Sequence, residues 1–400
     1  MGALEFVLVV TVALLILFAI GQPVAFAMTV VGLLGMFVLV GPPTLSAVGN
    51  IIYHSLSNPV LVSLPLFVFM GELLVNTGLS KDLYKALTPW LGRLPGGLLH
   101  SNIGACAVFA AISGSSPATA ATIGTVAIPE LEKRNYDSQL ILGSIAGGGT
   151  LGILIPPSIT MIIYASMVGE SIGQLFIGGI FPGIMLAGLF MVYILVRVVL
   201  NPRLAPDVIR PTWRETFSVT LRIIPTILLI GAVLGTIYLG VATATEASAI
   251  GVAVSFILGV VYRTLNWHSF KTAMMSTMLT TCSIMVIFVG ASFIAAALAR
   301  AGVPIRMAEF VTHLEVPALV ILLIIYVIYL ILGCFFDPMS IMVLTLPILF
   351  PTIKALGYDT IWFGIVLVML IEAGMLTPPG GAKSLCDAEH CPPVPLQRHR

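Results

Sequence analysis

Residues 147–158 read GGGTLGILIPPS, and part of that stretch, GILIPP at 152–157, returns as GMLTPP at 374–379. Outward from it the same spacing recurs: Pro129 pairs with Pro351, and Tyr136-Asp137 with Tyr358-Asp359, each pair 222 residues apart (351 − 129, and so throughout). The matches fall where long apolar runs are interrupted by Pro, Gly, Ser and Thr. Interrupted hydrophobic segments at corresponding places in two halves of a chain point to a secondary transporter and to its central binding site.

Of the 400 residues, 58% are hydrophobic and 9% charged, against about 25% charge in soluble domains; mean hydropathy is +1.10. No soluble core could hide so much apolar surface, so a lipid bilayer is the expected solvent. A net charge of +1 offers no basic field to nucleic acid. The five cysteines, Cys106, Cys282, Cys334, Cys386 and Cys391, lack metal-ligand spacing, and the three in apolar sequence read as small packing residues. No basic segment precedes the first apolar run and no small-residue cleavage site follows it, so it reads as a retained span rather than a signal peptide.

Apolar stretches lie at 6–20, 24–40, 60–75, 96–129 (interrupted at its middle), 139–168 (broken at Pro156-Pro157) and 172–200. A second series lies at 223–239, 244–262, 273–298, 316–351 (again interrupted) and 361–376. Several reach the roughly 20 residues a helix needs to cross about 30 Å of hydrocarbon. The expected architecture is an all-α polytopic membrane protein: a first repeat at 1–200, a linker at 201–222 and a second repeat at 223–379. Around the linker Arg197, Arg203, Arg210, Arg214 and Arg222 outnumber Asp207 and Glu215, which places it in the cytoplasm by the positive-inside bias. If 96–129 is a re-entrant hairpin, five crossings separate its tip from the matching tip near Asp337. An odd number inverts the second copy, so two opposed hairpins and two opposed broken helices meet near the midplane.

The first tip, SGSSPATAATIG at 113–124, cannot stay helical at membrane depth unless its freed carbonyls and amides find partners in protein, water or a bound ion. A small hard cation such as sodium takes oxygen ligands, and unwound carbonyls with Ser and Thr hydroxyls supply them without burying a charge. Ser113, Gly114, Ser115 and Ser116 are the candidates here, with Gly149, Thr150, Pro156 and Ser158 on the broken helix as a second wall. A plainer reading, that Gly, Ser and Pro only permit kinks and close packing, loses weight because the break occurs twice. The second tip, CFFDPMSIMVLTLPILFP at 334–351, sets Asp337 in register with Ser115, and Thr377 lies on the second broken helix. An Asp at the hydrocarbon centre costs about 2.5–3.5 kcal/mol, so Asp337 reads as an ion-site or path residue. Asp-Pro is equally a good helix N-cap pair, and both readings can hold.

Four other charges fall in or beside spans. Glu246, in TATEASAIG, reads as a substrate-path residue or a helix cap; Arg300 reads as a grip on a substrate carboxylate or a snorkelling helix end. Glu72 reads as structural. Glu372 is in register with Thr150 and lies close to the proposed cavity.

SGSSPATAATIG, GGGTLGILIPPSI, TATEASAIG, GCFFDPMSIMVLTLPILFP and GMLTPP, with RLPGG at 93–97, together resemble the large membrane subunit of the tripartite ATP-independent periplasmic (TRAP) transporters, over about residues 5–379. The resemblance implies an elevator-type secondary transporter of the ion transporter superfamily in the bacterial inner membrane. It also implies two partners, a small four-helix membrane subunit and a periplasmic solute-binding protein that delivers an organic acid, with Na+ as the coupling ion. By the same resemblance Ser113 and Ser158 lie near sodium positions of the first half and Asp337 near the second, while Glu246 and Arg300 match polar family positions.

After Pro379 the chain departs from the family pattern. Members continue into a Val-Gly-Leu-Asn-like apolar stretch, whereas residues 380–400 read GGAKSLCDAEHCPPVPLQRHR. The repeat likewise calls for a counterpart of 159–200 there. A frameshifted or truncated reading frame is the expected account, in which Cys386, His390 and Cys391 form no metal site and the chain as written is inactive. Other functions fit less well: there is no G-x-x-x-x-G-K-[ST] loop for nucleotide, and no His in an apolar span near a candidate nucleophile. A channel or a non-transporting scaffold is the alternative to a transporter.

Overall fold

The computed structural model describes residues 2–205, 213–313 and 316–377, and among them every regular element is a helix. The first half holds α1 (Ala3–Ala19), α2 (Val24–Val40), α3 (Thr44–Leu56), α4 (Ser63–Asn76), α5 (Leu79–Leu91), α6 (Leu98–Ser113), α7 (Ser116–Lys133), α8 (Ser138–Thr150), α9 (Ile159–Val168) and α10 (Ile172–Leu200). After α11 (Trp213–Thr220) come α12 (Ile224–Tyr238), α13 (Ala244–Val261), α14 (Trp267–Arg300), α15 (Val303–His313), α16 (Ala318–Gly333), α17 (Pro338–Ala355) and α18 (Thr360–Leu376). Residues 378–400, with Pro378-Pro379 and the divergent tail, lie outside the described residues.

Helix boundaries carry the 222-residue repeat. α7 shifted by that offset coincides with α17 at both ends, and α8 and α18 begin at equivalent residues. The reason is local chemistry: Asp137 and Asp359, themselves equivalent, each cap their helix by accepting from the amide three residues on, Leu140 N at 3.0 Å and Trp362 N at 2.7 Å. α1 corresponds to α12 and α2 to α13. One difference is instructive. The first copy stops α3 at Leu56 and starts α4 at Ser63 around Asn58-Pro59, whereas the second has Thr280-Thr281 at those positions and runs unbroken as the 34-residue α14. Pro lacks the amide and clashes with the preceding turn; Thr does neither.

Five helices are long and apolar enough to cross a membrane, Pro59–Asn76 (counting the turn before α4), α10, α13, α14 and α17. α10 shows Phe181, Ile184 and Leu189 outward, a face suited to lipid. α6, at 16 residues, is about 24 Å long, and α6–α7 folds back on itself at Gly114-Ser115 as α16–α17 does before Asp337. Between the hairpins, besides the short α11 and α15, stand α8–α9, α10, α12, α13 and α14, the odd number of crossings expected of an inverted second copy.

Two assemblies share the core. α14 lies along α2 and α4, and α13 packs on α4; a Cβ on Gly32 would sit 2.7 Å from Phe293 Cβ, so glycine is what allows α2 and α14 to meet. The hairpin α6–α7 packs on α8, and α16–α17 packs on α18, while α17 and α18 both reach α9. The repeats therefore interlock rather than sit side by side.

Candidate functional site

The first hairpin tip rests on the break between α8 and α9. α6 ends where Gly114 turns left-handed (φ 61°), and a Cβ there would meet the Pro157 carbonyl at 2.7 Å. Ser115 is extended and Ser116-Pro117 start α7. Across the joint α8 ends at Thr150, a 3-10 turn covers Leu151–Ile153, and two prolines without amide protons keep the chain irregular until Ser158 caps α9 by accepting from Met161 N at 3.3 Å. Pro156 is buried there and joined to Pro157 by a cis peptide.

Contacts fix the two pieces together. Ser116 Oγ donates to the Thr150 carbonyl at 3.1 Å and Ile159 N donates to the Gly114 carbonyl at 3.4 Å. A Cβ on Gly152 would lie 2.6 Å from Ser115 O, and one on Gly149 2.7 Å from Ala120 Cβ. Thr119 Oγ1 donates to Ser115 O at 2.8 Å, so Ser113 Oγ, also 2.8 Å away, donates to Thr119. Ser158 Oγ gives its proton to the Ile153 carbonyl. Thr160, fully buried in the first turn of α9, has a hydroxyl with no partner among the described residues.

Chemically the joint is a cluster of hydroxyl and carbonyl oxygens beside two helix C-termini, those of α6 and α8, whose partial charge is negative. That suits a small hard cation. Among the described residues no group of three His, Cys, Asp or Glu gathers anywhere, so a transition-metal centre has no ligand set. Ser113, Gly114, Ser115, Ser116, Gly149, Thr150, Pro156 and Ser158 all line or buttress this one joint. Thr119 and Thr160 belong to it as well. Their signal in the sequence was position: Thr119 lies four residues after the N-cap of α7 and Thr160 two after that of α9, each near the start of a helix that begins at the joint.

The remaining candidates lie elsewhere. Asp337 is exposed and caps α17, accepting from Met339 N and Ser340 N, each at 3.1 Å, and from Ser340 Oγ. Thr377 is exposed, its hydroxyl donating to Ala373 O at 2.8 Å. Glu246 is exposed in a reciprocal cap with Thr243, accepting from its amide and hydroxyl at 2.8 Å each. Arg300 is the exposed last residue of α14. No hydrogen bond ties any of these four to the first joint.

A cavity of about 390 Å³ opens where α3, α9, α14 and α17 meet. Its walls are largely apolar, with His54, Asn58, Ser166 and Ser292 among the polar groups, and Asn58 Nδ2 donates to Ser166 Oγ at 2.8 Å. Neither Glu246 nor Arg300 lines it.

A family model described as the tripartite ATP-independent periplasmic transporter, DctM component, matches residues 11–389. The chain belongs to this family. It is 34% identical over 346 residues to the C4-dicarboxylate TRAP transporter large permease protein DctM of Pseudomonas aeruginosa, covering 86% of this chain and 80% of that one. Against the protein of the same name from Rhodobacter capsulatus identity is 32% over 385 residues, with coverage of 92% and 86%. The sialic acid TRAP transporter large permease protein SiaM of Vibrio cholerae is 29% identical over 367 residues, with coverage of 92% and 85%. Among solved structures the Alcanivorax borkumensis YdaH transporter matches with a TM-score of 0.59 at 17% identity, covering 85% of this chain and 80% of that one, a likeness of fold alone. As a DctM-type large permease the chain is a multi-pass transport protein and not an enzyme.

Proposed function

We propose that this DctM-type permease imports an organic acid across the bacterial inner membrane, coupled to sodium, with the acid handed over by a periplasmic solute-binding protein and with a small four-helix membrane subunit beside it. The single observation that carries the reading is the joint between the α6–α7 tip and the α8–α9 break, where buried hydroxyls and freed carbonyls converge and the Thr160 hydroxyl nearby has no partner among the described residues. A buried hydroxyl without a bond costs about 1–3 kcal/mol; a bound Na+ would remove that cost by using its oxygen as a ligand.

The amide ends of the hairpin arms suit the other ion. Ser115 makes no side-chain cap on α7; Pro117 has no amide, so the Ala118 amide is the first-turn donor left for an anion, as half-helices hold substrate carboxylates in such transporters. In the second copy Asp337 occupies the corresponding amide, that of Ser340, together with that of Met339, which makes that tip less hospitable to an anion. The cavity lies between α3 and α14 on one side and α9 of the first broken helix and α17 of the second hairpin on the other, and its size falls in the range of small-molecule sites. Sliding of the hairpin-bearing elements along α14 would carry such a cavity across the membrane, an elevator motion. The domain limits 1–200, 201–222 and 223–379 are part of the same reading. A carboxylate is the proposed cargo class, since relatives are named for C4-dicarboxylates and sialic acid.

Each net charge moved is worth about 2.3 kcal/mol per 100 mV, so several sodium ions per acid would drive steep accumulation. The test is uptake of radiolabelled succinate, with sialic acid as a second probe, into proteoliposomes holding both membrane subunits and supplied with the binding protein. Uptake should require an inward sodium gradient; equal rates with choline in place of sodium would refute the coupling.

A further inference from the structure

We propose that Glu372 is the charged ligand of a sodium site shared by the two repeats, placed on the axis that relates them. The proposal rests on sodium coupling as read above and adds a residue to it. Glu372 is 1% exposed, in the next-to-last turn of α18, and both carboxylate oxygens are buried without a hydrogen-bond donor among the described residues. The polar group beside it is the Thr150 hydroxyl, but that proton already goes to the Gly147 carbonyl at 2.8 Å.

Position strengthens the case. Residues 150 and 372 are equivalent in the 222-residue repeat. Two points related by a two-fold axis can touch only near that axis, and in inverted-repeat transporters the ion and substrate sites lie where it passes the midplane. Thr150 is also the residue whose carbonyl accepts from Ser116 of the hairpin tip. Glu372 therefore borders the first joint from the second copy.

Among the described residues nothing around it compensates a negative charge. The elements packed on α18 are α8, the 3-10 turn 151–153, α9, α10, α16 and α17. Their charged side chains are Arg197, set over the Tyr193 ring near the end of α10, and Lys354, exposed near the end of α17. The tyrosines are engaged or face elsewhere: Tyr164 donates to the Thr360 carbonyl and Tyr329 pairs with Thr345, while Tyr193 and Tyr326 make no bond to the carboxylate. Nor can α18 easily turn the side chain away, because Gly374 packs on Gly333 so closely that a Cβ on Gly374 would lie 2.6 Å from Gly333 Cα. A buried carboxylate that is neither paired nor hydrogen-bonded either takes a proton or faces a bound cation, and the oxygens around this one favour the cation. Oxygens to complete the shell are at hand: the Thr150 hydroxyl keeps its acceptor lone pairs, and a carbonyl that accepts one bond has a second lone pair to offer.

The test uses the purified full chain melted over a range of NaCl, with choline chloride holding ionic strength constant. Sodium should stabilise the wild type. Glu372→Gln keeps the shape and removes the charge, so it should melt above the wild type in choline, below it in saturating sodium, and need at least tenfold more sodium for half-maximal stabilisation, about 1.4 kcal/mol. Unchanged half-saturation with parallel melting curves would overturn the proposal and mean that Glu372 is held as a neutral acid. If Glu372→Gln does not fold, Thr150→Val decides: a raised sodium requirement supports the site and an unchanged one overturns it. Absence of any sodium stabilisation in the wild type would sink sodium coupling itself, a distinct failure.

Discussion

Gly152→Ala is the sharpest probe of the first joint. The added Cβ would sit 2.6 Å from Ser115 O, 2.7 Å from Ser115 C and 2.8 Å from Ser116 N. All three atoms are backbone, so no side chain can swing away to make room. Ordinary contact between carbon atoms needs about 3.5–4.0 Å, so the hairpin tip has to retreat by roughly 1 Å. Overpacking of this kind costs about 1–3 kcal/mol, and if it falls on the arrangement that holds the ion it weakens sodium binding roughly 5- to 150-fold at about 1.4 kcal/mol per tenfold. The assay is the sodium dependence of uptake in proteoliposomes, with membrane content checked by immunoblot. Gly143→Ala is the control: it lies on α8, the helix that leads into this turn, with nothing within 4 Å of its added Cβ, and should transport as the wild type. Normal sodium dependence in Gly152→Ala would refute the claim that the tip and the break form the ion site.

Three further substitutions separate binding from structural roles. Thr160→Val deletes a buried hydroxyl that costs about 1–3 kcal/mol when unpaired, so it should raise the melting temperature in choline and raise the sodium needed for half-maximal uptake; an equal gain in both salts would make the hydroxyl a packing feature. Asp337→Ala removes a cap worth about 1 kcal/mol and should lower the melting temperature; an unchanged sodium requirement in uptake would leave the cap as its whole role. Glu246→Ala opens the reciprocal cap with Thr243 and should lower thermal stability while leaving the substrate concentration for half-maximal uptake unchanged; a rise in that concentration would restore Glu246 to the substrate path.

Much of the frame was legible because the two copies interrupt their helices with the same chemistry. Asp137 and Asp359 start equivalent helices, and Ser116-Pro117 and Pro338 begin equivalent hairpin arms. Hydropathy missed α3, α5, α11 and α15, since short helices of mixed polarity leave no continuous apolar run. It also started α14 six residues late, at Ala273, because Asn266 caps it ahead of the apolar stretch by accepting from Ser269 N at 2.8 Å. The site divided along a different line. Ser113 to Ser116 and Gly149 to Ser158 lie close together because each group is continuous with a break in a helix. Asp337, Thr377, Glu246 and Arg300 looked alike in sequence as polar residues at helix ends, and only the packed structure shows that they face outward. Thr119 and Thr160 were hidden for the converse reason: their spacing places them on a helix turn but does not say which helix lies opposite.

The most direct test of sodium coupling at the joint is simultaneous influx of radiosodium and labelled acid into proteoliposomes holding the complete transporter. Acid entry should carry radiosodium with it in a fixed ratio, and Ser113→Ala or Ser158→Ala should raise the sodium concentration needed for both fluxes together. Acid that enters at full rate without radiosodium, in the wild type, would contradict it.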